Sequence, residues 1–69
     1  MKRLAHSVSG KVGIDIETIE RVISLHQSTY PGSWQDWDFA EREAEIVRVM
    51  TDAKHRRETS PERIILRCA

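Results

Sequence analysis

The chain has 69 residues, enough for one small domain or part of a larger one, and a domain of this size buries only about 60% of its unfolded surface. No long uncharged apolar run is present, which excludes a membrane span, and the start Met1-Lys2-Arg3-Leu4 lacks the apolar stretch of a signal peptide. Eleven basic residues balance eleven acidic ones, which excludes the basic excess of a dedicated nucleic-acid or anionic-membrane binder. The single cysteine, Cys68, allows no internal disulfide and no zinc spacing, so the expected setting is reducing and cytoplasmic.

Residues 3 to 16 read as a β-hairpin. Leu4, His6 and Val8 alternate with Arg3, Ala5 and Ser7; Ser9-Gly10 offers a turn; Val12, Ile14 and Ile16 then alternate again. Two strands alone are unstable in water, so the pair requires further strands or a helix on its apolar face. After Glu17 the spacing lengthens to three and four: Ile19, Val22, Ile23 and His26 fall on one face of a short helix over 18–27, with Thr18 as its cap. Ser28 to Asp38, with the turn Tyr30-Pro31-Gly32-Ser33 and the tryptophans Trp34 and Trp37, has no convincing period and reads as a long loop.

Asp38, with Glu41 three residues on, caps a stronger helix over 39–55 in which Phe39, Glu43, Ile46, Val47 and Met50 repeat at helical spacing. Its acidic residues lie near the start, and Lys54, His55, Arg56 and Arg57 lie near the end, matching the helix dipole. Ser60-Pro61-Glu62 opens a last helix over 61–69 that no glycine, asparagine or proline stops, and Cys68 is expected to be buried in it. The expected fold class is therefore α+β, a hairpin over 3–8 and 11–16 packed with helices over 18–27, 39–55 and 61–69.

Within the expected second strand, Gly13-Ile14-Asp15-Ile16-Glu17 places two carboxylates two residues apart. Side chains alternate faces along a strand, so Asp15 and Glu17 point one way and Val12, Ile14 and Ile16 the other. Two residues of rise separate the carboxylate-bearing Cα atoms by roughly 6–7 Å, a spacing from which both reach one magnesium ion. The plain alternative is the solvated face of a half-buried strand. A metal nuclease that follows its acidic pair with a lysine is disfavoured, because Ile19 stands at that position.

The stretch Val12-Gly13-Ile14-Asp15-Ile16-Glu17 resembles the first signature of the 4'-phosphopantetheinyl transferases, the holo-acyl-carrier-protein synthase type. Phe39-Ala40-Glu41-Arg42-Glu43 is similar to the family's second block, and Pro61 to Ala69 looks like the lead-in to the third, in which a helix carries Lys-Glu-Ala. That lysine and glutamate are missing here, as is the N-terminal half with its coenzyme-binding basic residues. The resemblance thus implies a partial domain over 1–69, truncated at both ends. Ala5-His6-Ser7 is similar to a coenzyme-contacting motif but lies too close to Asp15, and His6 reads as a strand residue.

The resemblance implies Mg2+ held by Asp15 and Glu17 on the pyrophosphate of coenzyme A, with attack by a serine of an acyl or peptidyl carrier protein. Carriers of this kind serve fatty-acid, polyketide and nonribosomal peptide synthesis. The implied base is a metal-bound water or the missing glutamate, so the isolated chain is expected to be inactive. Glu43 is a site-shaping residue on this reading, and Ile19, Trp34 and Trp37 are carrier contacts. The plain readings are a dipole-favoured first-turn acid for Glu43 and core or loop anchors for the tryptophans. The reading of a different class is a small non-catalytic interaction module, using apolar faces around Ile19 and Trp37 to bind a partner, with Asp15 and Glu17 simply solvated. Self-association, or association with the missing part of the domain, is a further expected partnership.

Overall fold

The structure, a computed structural model, describes residues 2–67. It contains five helices among the described residues: α1 (Lys2–Val12), α2 (Ile16–Thr29), α3 (Pro31–Asp36), α4 (Phe39–Arg56) and α5 (Pro61–Leu66). No strand occurs among them, and the expected α+β class, with its hairpin over 3–8 and 11–16 and its place in the transferase fold, is corrected to an all-helical bundle.

The error has a specific cause. Leu4, Val8 and Val12 lie four apart, a spacing that belongs to a strand face and to a helix stripe alike. Ala5 decides between the two. On a strand it points away from Leu4 and Val8, whereas on a helix it joins them in one stripe, and all four residues are buried. His6, which shares a strand face with Leu4 and Val8 in the hairpin reading, faces solvent.

Gly10 lies inside α1 on its exposed side, with no atom near the place a Cβ would occupy. The glycine that shapes the chain is Gly13. Its φ of +72° is the left-handed conformation that glycine adopts freely, and its N–H donates to the Ser9 carbonyl at 2.9 Å, the bond that closes a helix C-terminus. The presumed second strand is therefore a helix stop followed by a helix start, with Asp15 as the N-cap of α2 in extended conformation.

α2 buries Ile19, Val22, Ile23 and His26 on one face and begins two residues before the expected start at 18. The expected loop over 28–38 holds α3 instead, with Pro31 in its first turn and Trp34 buried. α4 carries the Asp38–Glu41 capping box: Asp38 accepts from the Glu41 N–H at 2.8 Å, and the Glu41 side chain accepts from the Asp38 N–H at 3.2 Å. It ends on Arg57, which has φ 57° and ψ 33°. The Glu58 N–H bonds to the Ala53 carbonyl and the Arg57 N–H to the Lys54 carbonyl, a Schellman arrangement with arginine where glycine is usual. α5 buries Ile64 and Ile65 against α2, while the expected burial of Cys68 lies outside the described residues.

One core joins these elements. α1 packs on α4 and α2, and α5 covers the other side of α2. Ile19, Ile23, Ile46, Met50 and Ile64 are the largest of its apolar side chains that are fully buried, and the larger Trp34 is 2% exposed. The Cα radius of gyration, 10.7 Å, matches the roughly 11 Å of a compact domain of this length, so the apolar stripes of the helices satisfy one another without a sheet.

Candidate functional site

Asp15 and Glu17 do not project from a common strand face. The Asp15 carboxylate accepts from the Thr18 N–H at 3.0 Å and from the Thr18 hydroxyl at 2.8 and 3.0 Å, so both of its oxygens serve the start of α2. The Thr18 amide, then its hydroxyl, hold the Asp15 carboxyl below its ordinary range. Glu17 stands exposed in the first turn of α2. The two still border one polar depression of about 180 Å³, together with Thr18, Arg21 and Thr59. As a donor set this fits magnesium poorly: one carboxylate is engaged as a cap, a guanidinium shares the depression, and no group of three metal-ligating side chains occurs among the described residues.

An adjoining cleft of about 240 Å³ continues from Asp15 and Thr18 over Ile14 and Met50 to Lys54 and Arg57. Lys54 is committed to structure there, because its Nζ donates to the Val12 carbonyl at 2.8 Å and closes the end of α1 onto α4.

Glu43, expected to shape a site, is a clamp between α4 and α1. It accepts from the Ser7 hydroxyl and from Lys11 Nζ. The Lys11 bond, and then the Ser7 bond, lower its pKa. Of the expected carrier contacts, Ile19 is fully buried and Trp34 is 2% exposed, so both belong to the core, and half-buried Trp37 packs against its edge.

The most elaborate polar arrangement is one that sequence spacing did not disclose. His26, 1% exposed, sits among Tyr30, Trp34 and Trp37 with ring centroids 4.8, 5.7 and 6.2 Å away. Trp34 Nε1 donates to His26 Nδ1 at 2.7 Å, and His26 Nε2 faces Glu45 Oε2 at 3.2 Å. An indole nitrogen can only donate, so Nδ1 carries no proton and the imidazole presents its N–H at Nε2 to Glu45. Glu45 also accepts from Arg48 at 3.0 and 2.8 Å, and Arg48 first, with His26 contributing less, keeps its pKa low. A histidine with both nitrogens satisfied and almost no exposure organises the core and is closed to substrate. The two hydrogen-bond partners come from two other helices at separations of 8 and 19 residues, where no short motif reports them.

On the far side of Trp34 lies a different surface. Phe39 is 41% exposed, the Arg3 guanidinium sits 5.1 Å from the centre of its ring, and the Arg42 guanidinium sits 5.4 Å from that of Trp34. Leu4 and Gln27 complete a notch of about 220 Å³. Phe39 and Arg42 belong to the block that the sequence reading assigned to a transferase helix, but there only Glu43 stood out.

No family model matches the chain, and neither a curated protein nor a solved structure matches it. No helix among the described residues is long and apolar enough to cross a membrane.

Proposed function

We propose that this chain is a small non-catalytic interaction module that holds a protein partner on the face formed by α1 and the start of α4. One observation carries the reading: the stacked arginine and aromatic side chains at Arg3, Phe39, Arg42 and Trp34 surround an open notch. Aromatic and arginine side chains are the residues in which interface binding energy concentrates. Four chemically capable groups elsewhere are occupied within the fold. Asp15 caps α2, Glu43 joins two helices, His26 is enclosed, and Lys54 is bonded to backbone. The docking surface therefore differs from the one expected around Ile19 and Trp37.

A photoreactive benzoylphenylalanine at position 39, introduced in the cells that make the protein, tests the reading, with the same group at exposed Ser24 on α2 as control. A discrete protein adduct is expected from position 39 and none from position 24. Indistinguishable adduct patterns from the two positions overturn the proposal.

The transferase reading keeps one supporting observation, the depression shared by Asp15 and Glu17. Because the isolated chain is expected to transfer no phosphopantetheine, magnesium binding that Asp15→Ala abolishes, followed by calorimetry, is the test of that second reading.

A further inference from the structure

We infer that the notch between α1 and α4 recognises a carboxylate side chain of an acidic, apolar-flanked peptide segment, with Arg42 as the residue that reads it. The inference rests on the interaction-module reading and adds the chemistry of the partner.

The notch is lined by Arg3, Leu4, Gln27, Trp34, Phe39 and Arg42, so it carries two cations and no carboxylate. This imbalance is local, since the chain as a whole holds equal numbers of basic and acidic residues. Three basic groups elsewhere in the bundle are paired with an acid: Lys11 bonds Glu43, Arg48 bonds Glu45 and Arg56 bonds Asp52. Arg3 and Arg42 instead rest on aromatic rings, which hold a guanidinium in place without neutralising its charge.

Arg42 supplies the second observation. One of its five N–H bonds goes to the Trp34 carbonyl, from Nη2, while Nε is buried and has no acceptor among the described residues. A buried donor without an acceptor is rare in native structures and costs free energy until an acceptor is supplied. A carboxylate entering the notch takes the Arg42 Nη N–H bonds that the Trp34 carbonyl leaves free, in the planar geometry that suits a guanidinium, and it reaches Nε only when the guanidinium turns toward it. Leu4, Trp34 and Phe39 give apolar walls for the aliphatic stem that leads to such a group and for a neighbouring apolar side chain. A nucleic acid requires a row of cations along its phosphates, and two arginines in a chain of zero net charge do not form one.

The test uses the 15N-labelled full chain and follows the Arg42 Nε–H and Trp34 Nε1–H resonances. Three blocked peptides are titrated, acetyl-Ala-Leu-Glu-Leu-Ala-amide, its glutamine counterpart and its phosphoserine counterpart. The glutamate peptide is expected to shift both resonances saturably, with the glutamine peptide binding about tenfold more weakly, as the loss of a charge-assisted hydrogen bond implies. Arg42→Lys keeps the charge and loses the fork, and it is expected to weaken the glutamate peptide by a similar factor. Because Arg42 also bonds the Trp34 carbonyl, Arg3→Gln is the second variant. Arg3 is exposed, and its loss is expected to weaken the glutamate peptide severalfold while leaving the Trp34 resonance of the free protein in place.

Equal response to the glutamate and glutamine peptides overturns the inference, as does phosphoserine binding more than tenfold tighter than glutamate. Shifts that follow dilution of the protein alone overturn it too, by making a second copy of the chain the occupant. A position-39 adduct in cells together with no glutamate response rejects this inference and spares the module reading; absence of both rejects the two together.

Discussion

Trp34→Phe removes one N–H from the centre of the bundle and tests whether the His26 cluster holds the fold. The lost donor sits 2.7 Å from His26 Nδ1, and the two residues are 2% and 1% exposed, so no water replaces it. Leaving a buried acceptor unpaired costs about 1–3 kcal/mol, before any cost of the smaller ring. His26→Leu leaves the Trp34 N–H unpaired and carries a similar penalty, while Glu45 retains Arg48. In the double variant both orphaned groups are gone, so the pair is expected to cost about 2–6 kcal/mol less than the sum of the singles.

At about 0.05–0.15 kcal/mol per residue, the whole 69-residue fold is worth only about 3–10 kcal/mol, and either single variant removes a large part of it. Urea unfolding followed by far-ultraviolet circular dichroism measures all four proteins, and each kcal/mol also lowers Tm by about 4–8 °C. Single-variant costs that add to within about 0.5 kcal/mol refute the reasoning, because they mean that the two groups do not depend on each other.

Four further outcomes are expected. Calorimetric titration with magnesium chloride should give no saturable heat, and a saturable heat that Asp15→Ala abolishes restores the metal reading of Asp15 and Glu17. Lys11→Met removes the main cause that lowers the Glu43 pKa, so carbon-detected titration of its carboxyl should move upward in pH. A carboxylate whose folded pKa is depressed stabilises the fold above its unfolded value, about 4.3 for glutamate, and ceases to do so as pH falls through the folded value. Asp15, Glu45 and Glu58 are depressed as well, so acid unfolding should set in below the ordinary carboxylate range. Arg57→Gly relieves a left-handed residue at the end of α4 and should stabilise the fold by about 1 kcal/mol, raising Tm by several degrees; an unchanged or lowered Tm means the arginine side chain does more than tolerate its backbone.

What was legible in the sequence was mostly local. Asp38 and Glu41 announce a capping box, Pro61 after Ser60 announces a helix start, and the Ile19, Val22, Ile23, His26 series fits a helix whatever surrounds it. The first sixteen residues misled because a four-residue spacing satisfies two periods, and the tie-breaking Ala5 is too small to weigh in a hydrophobic pattern. Gly13 and Asp15 were read as a weakened strand with a metal ligand, although a glycine and an aspartate two residues apart also end one helix and begin the next. The His26 cluster and the arginine notch were not legible, since both depend on how α1, α2, α3 and α4 meet. Neither follows from spacing within one segment.

The enclosure of His26 also gives the three histidines different chemical reactivities. His6 and His55 lie open on α1 and α4, so an acylating reagent such as diethylpyrocarbonate has free access to them. His26 offers it nothing in the folded chain: Nδ1, the unprotonated nitrogen that would attack, already accepts from Trp34 beneath the surface. Its modification must wait for the bundle to open. The slow reaction at His26, timed against the fast pair, becomes a clock for the rate or the frequency at which the core comes apart under native conditions.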